Sequence, residues 1–260
     1  MDLKLKNKKA FISGSTKGIG FATAKTLAKE GAEVIINGRS QESVDKAVEK
    51  LKNEVSEAKV EGIACDFSKK EEIKALIEQI GELDILINNV GIFGPKDFLD
   101  IPDEEWLEFY EVNVMSGVRL SRAFLPGMLD RDWGRIIFIS SESALNIPVE
   151  MIHYGMTKTA QLALSRGLAE TTRGSKVTVN SVLPGPTFSE GVQEMVEADN
   201  EQEKKEVEKE FFNESRPTSI IQRFADPQEV ANMIAYVARP LASATNGASL
   251  RADGGTVKII

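Results

Sequence analysis

Tyr154 and Lys158 stand four residues apart, and Ser141 lies thirteen residues before the tyrosine. The stretch from Met151 to Thr172 repeats Ala160, Leu164 and Leu168 on one side and reads as a helix. On a helix, residues i and i+4 are neighbours, so the Lys158 ammonium is expected beside the Tyr154 phenol. A free tyrosine has a pKa of about 10, too high for an efficient proton carrier at neutral pH. A nearby cation favours the phenolate and lowers that value. Tyr-x-x-x-Lys also arises by chance as a plain surface pair. Here, however, the run Arg135-Ile136-Ile137-Phe138-Ile139 reads as a strand ending in Ser140-Ser141, which sets the serine at the carboxyl edge of a sheet. Open α/β sheets bind ligands at that edge. The three side chains are suited to moving a proton on and off an oxygen.

A second group lies far upstream, where the chain reads Ser13-Gly14-Ser15-Thr16-Lys17-Gly18-Ile19-Gly20. Ala10-Phe11-Ile12 before it is short and apolar enough for a buried strand. After it, Phe21, Ala24, Leu27 and Ala28 share one helix face, and Gly31 is placed to end that helix. Gly14, Gly18 and Gly20 therefore fall on a strand-to-helix turn. A tight turn with free N–H groups at the positive end of a helix suits a pyrophosphate. A nucleoside-triphosphate loop is excluded, because that motif needs Gly-Lys-Ser/Thr after four spacer residues and position 19 is Ile19.

The next strand, Glu33 to Asn37, ends where a dinucleotide fold chooses its cofactor. An acid there would hydrogen-bond the ribose 2′-OH of NAD, whereas arginine accommodates the 2′-phosphate of NADP. The chain has Asn37-Gly38-Arg39-Ser40 with no carboxylate, and Lys17 adds a second cation. Guanidinium forks match phosphate geometry. NADP(H) is expected over NAD(H).

With these pieces in place, the chain resembles the short-chain dehydrogenase/reductase family in its common single-domain form, over nearly its whole length. The resemblance rests on Ser13-Gly14-x-x-x-Gly18-x-Gly20, Asp66, Asn88-Asn89-Val90-Gly91, Asn113, Ser141, Tyr154-x-x-x-Lys158, Pro184-Gly185-Pro186-Thr187 and Asp253-Gly254-Gly255. Ser13 and Val90 depart slightly from the family's usual Thr and Ala. The resemblance implies four catalytic residues. Tyr154 exchanges the proton, Lys158 lowers its pKa and holds the nicotinamide ribose, Ser141 orients the substrate oxygen, and Asn113 holds a water. It also implies cofactor contacts from Gly14, Ser15, Thr16, Lys17, Gly18, Ile19 and Gly20, and from Arg39, Ser40, Asp66 and Phe67. Asn89, Gly91, Pro184, Gly185 and Thr187 complete that set with Tyr154 and Lys158. Asp66 is assigned to adenine and Thr187 to the carboxamide.

Composition agrees. The chain has 260 residues, 42 % of them hydrophobic, enough for one α/β core. Strand and helix patterns alternate, with helices near Lys17–Glu30, Gln41–Val55, Lys69–Ile80, Asp103–Leu125, Met151–Thr172 and Asp226–Ala238. The expected fold is a three-layer, doubly wound parallel sheet of the Rossmann type, about seven strands with helices on both faces, as one domain over residues 1–260. One cysteine and one histidine leave too few soft ligands for a zinc or iron site, so no metal is expected. His153 is read as a partly exposed helix residue. No membrane-length apolar run or signal peptide is read, and a cytoplasmic enzyme is expected, with no nucleic-acid or membrane partner.

Residues 188–215 hold ten acids against three lysines, a surplus of seven that nearly equals the chain's net charge of −8. This segment follows Pro-Gly-Pro-Thr, where the resemblance places a substrate lid, at about residues 187–222. Phe188, Val192, Met195, Val196, Phe211 and Phe212 are expected to cover an uncharged or weakly polar carbonyl or alcohol. Acidity there disfavours a phosphate-rich carrier protein. The expected reaction interconverts a ketone and a secondary alcohol. The alternatives are 3-oxoacyl-thioester reduction and a non-catalytic dinucleotide sensor or scaffold on the same fold. Surplus apolar residues on the helices at 103–125 and 151–172 point, with the resemblance, to a homotetramer or homodimer.

Overall fold

A computed structural model describes residues 2–189 and 201–260 of the chain. Seven parallel strands form one sheet in the order β3-β2-β1-β4-β5-β6-β7. They are β1 (Lys9–Ile12), β2 (Glu33–Gly38), β3 (Lys59–Ala64), β4 (Ile85–Asn88), β5 (Gly134–Ile139), β6 (Val177–Pro184) and β7 (Ser249–Ala252). The helices between them are α1 (Gly18–Lys29), α2 (Gln41–Glu54), α3 (Lys70–Ile80), α4 (Asp103–Tyr110), α5 (Ser116–Asp130) and α6 (Ile152–Thr171), then α7 (Glu201–Glu214) and α8 (Pro227–Ala238).

The strands are apolar on both sides because both faces are covered. In β1, Ala10 and Ile12 point to one core and Phe11 to the other. In β5, Ile137 and Ile139 oppose Ile136 and Phe138. The first core takes Phe21, Ala24 and Leu27 of α1, Ala47 and Leu51 of α2, and Val230 and Ile234 of α8. The second takes Ile73, Leu76 and Ile80 of α3, Leu120, Phe124 and Met128 of α5, and Ala169 of α6. This is the expected three-layer doubly wound fold. Strand order reverses between β1 and β4, and the crevice at such a switch point is where these sheets take ligands.

Helix ends follow local chemistry. Ser40 caps α2 by accepting from the Ser43 N–H, and Asp226 with Glu229 forms a capping box on α8. The helix expected at Asp103–Leu125 is different. It ends as α4 at Tyr110, passes through a π-turn at Glu111–Met115, and continues as α5 to Asp130 with Pro126 inside it. Single π-turns recur at functional sites, and this one carries Asn113. Among the described residues, no helix is long and apolar enough to cross a membrane.

Candidate active site

The glycine turn is held by side chains from β2 and from the residue just after β4. Asn37 Oδ1 accepts from the Gly14 N–H at 3.0 Å, and Ser15 Oγ donates to Ile12 O at 2.6 Å. Asn89 Nδ2 donates to Ser13 O at 2.9 Å and Gly14 O at 2.8 Å. Ser13 Oγ in turn accepts from the N–H groups of Asn89 and Val90. A Cβ on Gly20 would sit 2.6 Å from Gly14 O and 2.7 Å from Asn89 Nδ2, so α1 can start this close to β1 only with glycine there. Gly14 and Gly18 have φ of 60° and 58°, the left-handed region where glycine is unstrained.

Lys17, exposed, precedes α1, and Arg39 and Ser40 lie exposed at the end of β2. Thr16 packs against this loop, its Cγ2 2.5 Å from where a Gly38 Cβ would stand. Asp66, after β3, accepts from the N–H and hydroxyl of Ser68. Those bonds lead in holding its carboxyl below the ordinary range, and the charges of Lys69 and Arg39 contribute. Phe67 beside it is buried. A turn that carries glycine at positions 14, 18 and 20, at the N-terminus of α1 and with the exposed Lys17 and Arg39 nearby, fits a phosphate-bearing dinucleotide.

The acid–base group sits past the switch point. Ser140 Oγ donates to Lys158 O at 2.8 Å, and Lys158 Nζ donates to Ile139 O at 2.9 Å, which docks α6 on the end of β5. Ser141, Tyr154 and Lys158 line one cleft of about 540 Å³ with Ile19, Asn89, Gly91, Pro184, Gly185 and Thr187. Thr187 Oγ1 donates to Gly185 O at 2.9 Å. Nine of the expected residues thus meet in one space. Arg39, Ser40, Asp66 and Phe67 lie outside its wall, along the β2–β3 end of the same sheet edge.

Two expectations about this group are corrected. Lys158 was expected to depress the Tyr154 phenol, but burial pushes the phenol above its ordinary value. The Glu142 carboxylate adds to that rise, while the Ser141 hydroxyl and Arg216 oppose it. The cause is mutual desolvation: burial also pushes the Lys158 ammonium down to about 7, and its Nζ is turned to a carbonyl, 5.5 Å from the Tyr154 ring centre. His153 was expected to be partly exposed. It is fully buried between Trp106 and Phe109, its Nε2 3.5 Å from Glu105 Oε1. Burial holds it below the usual histidine value, with Glu105 opposing.

Asn113 stands behind the cleft. Its Nδ2 donates to Ile92 O and Thr157 Oγ1, both at 3.0 Å, and its Oδ1 accepts from the Ile92 N–H at 2.7 Å. Its carbonyl accepts from Gln161 Nε2 at 2.6 Å. The amide therefore ties the loop after β4 to α6.

The cleft also holds charged groups that the sequence did not point out. Glu142 Oε1 accepts from Arg216 Nε at 2.9 Å, and Arg216 Nη1 reaches Glu150 Oε1 at 3.1 Å. Burial works against the Arg216 charge, but the two carboxylates more than restore it and hold the group above its ordinary value. Glu142 was visible only as an acid beside Ser141. Arg216 comes from 74 residues further along the chain and carried no local signal. In the proposed lid, Val207 and Phe211 of α7 line the cleft, and Phe224, just beyond the lid, joins them. Phe212 is buried against Phe211 and Phe224 and does not face the substrate space as expected. Phe188 packs on Phe224. Val192, Met195 and Val196 lie outside the described residues.

A family profile for short chain dehydrogenases matches residues 8–204. The chain belongs to that family. It is 49 % identical over 263 residues to "uncharacterized oxidoreductase YvaG" of Bacillus subtilis (strain 168), covering 100 % of both chains. It is 32 % identical to the 3-oxoacyl-[acyl-carrier-protein] reductase FabG of Aquifex aeolicus (strain VF5), covering 98 % of this chain and 99 % of that one. A solved structure of L-sorbose reductase from Gluconobacter frateurii, complexed with NADPH and L-sorbose, aligns over 100 % of both chains with a TM-score of 0.91 at 30 % identity. As a short-chain dehydrogenase, the protein is an NAD(P)-dependent oxidoreductase. Among the described residues no cluster of His, Cys, Asp and Glu could hold a metal ion.

Proposed function

We propose that the protein interconverts a ketone and a secondary alcohol, with NADP(H) favoured over NAD(H). The observation that carries this reading is the single cleft in which Ser141, Tyr154 and Lys158 meet Ile19, Asn89 and Gly91 from the glycine-turn side. The dinucleotide would lie along Gly14, Ser15, Thr16, Lys17, Gly18, Ile19 and Gly20, with Asp66 and Phe67 at its adenine end. Gly91, Pro184, Gly185 and Thr187 would serve its nicotinamide end. Arg39, Lys17 and Ser40 would take the 2′-phosphate, supported by the absence of any carboxylate at residues 37–40. When bound, the cofactor supplies or accepts the hydride.

The chain's own residues manage the proton. Tyr154 gives its hydroxyl proton to the substrate oxygen in reduction and recovers one in oxidation. Lys158, buried and poorly solvated, serves the cofactor and biases the phenol once a polar ligand shares its pocket. Ser141 hydrogen-bonds the substrate oxygen, and Asn113 holds the loop that frames it.

The substrate is uncharged or weakly polar. Phe93, Pro95, Met151, Val207, Phe211 and Phe224 make the cleft wall largely apolar, and Glu142 and Arg216 answer each other's charge. The L-sorbose complex of the aligned reductase supports a hydroxylated ketone as the first candidate. The FabG relative keeps 3-oxoacyl thioesters as the second, against which stands the acidic surplus at residues 188–215. The chain is read as one domain with its lid at about 187–222, working as a cytoplasmic homotetramer or homodimer. The test is a panel of ketones, hydroxyketones and secondary alcohols, each with NADPH or NADP+ and with NADH or NAD+. Absence of cofactor turnover across the panel would favour a sensor or scaffold and refute the catalytic reading.

A further inference from the structure

Glu142 follows Ser141 directly and is 3 % exposed. Its Oε1 takes the Arg216 Nε at 2.9 Å. Its Oε2 lies 2.5 Å from Ser141 Oγ and 2.7 Å from Ser143 Oγ, and also takes the Ser143 backbone N–H. A carboxylate so buried persists when it is paired and its oxygens are filled by donors. Paired with Arg216 it is ionised, and an ionised carboxylate can only accept. The single hydroxyl proton of Ser141 therefore belongs to the short contact with Glu142. What remains on Ser141 Oγ is lone-pair density, part of it taken by the Ser143 N–H at 3.1 Å, and the Tyr154 phenol lines the same cleft.

We propose that Glu142 is a positioning residue for the carbonyl–alcohol chemistry. Anchored by Arg216, it holds the Ser141 proton and leaves the serine an acceptor toward the cleft that it shares with Tyr154. A Ser141 hydroxyl that donates eases ionisation of the phenol, so a Glu142 carboxylate that competes for the same proton weakens that help as well as adding its own negative charge. An alcohol, which brings a proton, meets the serine as it stands. A ketone, which brings none, is bound by Ser141 only after the hydroxyl turns away from Glu142. Ser143 and Arg216 keep the carboxylate satisfied when it turns. The consequence for turnover rests on the oxidoreductase reading, whereas the hydrogen-bond polarity does not.

The test needs no substrate. The charged groups facing the phenol are Glu142, Arg216 and Lys158. Protein labelled with difluorotyrosine, whose phenol ionises in an accessible range, is titrated by fluorine NMR, and Tyr154→Phe assigns the signal among the three tyrosines. Glu142→Gln should lower the Tyr154 titration by about one pH unit or more. In a Ser141→Ala background the same substitution should shift it by less than half as much, because only the through-space charge is left. Glu142→Asp keeps the charge but withdraws it from Ser141, and should also lower the titration. Should Glu142→Gln fail to fold, the aspartate variant in both backgrounds decides alone. Equal shifts with and without Ser141, or no shift, would overturn the proposal. Expected shifts in a protein that turns over no carbonyl would leave the polarity standing and sink the catalytic reading instead.

Discussion

Replacing Gly20 by alanine tests whether the glycine turn is built for close approach. The new methyl would stand 2.6 Å from Gly14 O, 2.7 Å from Asn89 Nδ2 and 2.8 Å from Ser15 Cα, where ordinary contact begins at 3.4 Å. Two of these are backbone atoms, and Asn89 Nδ2 is held by bonds to Ser13 O and Gly14 O. None is the free end of a flexible side chain, so α1 and the turn must separate by about half an ångström. Overpacking of this kind costs about 1–3 kcal/mol. For a chain of this size that corresponds to a Tm lower by roughly 3–10 °C in differential scanning calorimetry. The same displacement moves the N–H groups proposed to face the pyrophosphate, so NADPH affinity by titration calorimetry should fall about tenfold or more, or roughly 1.4 kcal/mol. Gly94→Ala is the control, since a Cβ there meets nothing within 4 Å. It should leave both readings near wild type. A Gly20→Ala protein with wild-type Tm and affinity would refute the close-approach argument.

NADPH should bind several-fold tighter than NADH, roughly 1 kcal/mol or more, and Arg39→Ala should erase most of that gap; equal affinities in the wild type would sink the cofactor assignment. Tyr154→Phe should reduce turnover to near background while NADPH still binds, and a retained kcat/KM would remove the tyrosine from the proton chemistry. The Lys158 ammonium is pushed from 10.5 to about 7 by burial, so between those values the unfolded chain holds more protons and stability rises with pH. Free protein should therefore gain Tm from about pH 7 to 9, with a shallower gain in Lys158→Met; equal slopes would place the lysine in a wetter site. Light scattering at micromolar concentration should give a particle well above 28.5 kDa, and an active monomer would end the assembly proposal.

Much of the fold was legible because its rules are local. Apolar runs of four to eight residues, glycine stops and capping residues such as Ser40 and Asp226 act over a few positions. The alternation of strand and helix then leaves few arrangements other than a parallel doubly wound sheet. The π-turn at Glu111–Met115 was not legible, because helix-forming residues run through it without a break. Its register is held by bonds from Asn113 to Ile92 and Thr157 and from Gln161 to the Asn113 carbonyl.

By itself the sequence determined the family and the placing of Ser141, Tyr154 and Lys158 at one sheet edge, where they line one cleft, since each was announced by a spacing within one or two elements. The tertiary structure decided the electrostatics. Whether Lys158 lowers a phenol or loses its own charge depends on how much water the packed cleft leaves, which no spacing records. His153 changed from an exposed residue to a buried one because Trp106 and Phe109 arrive from another helix. The pairing of Glu142 with Arg216, 74 residues apart, exists only once the segment after α7 folds back over the end of β5. Desolvation and long-range charge pairing are sums over neighbours, and the neighbours are chosen by the fold.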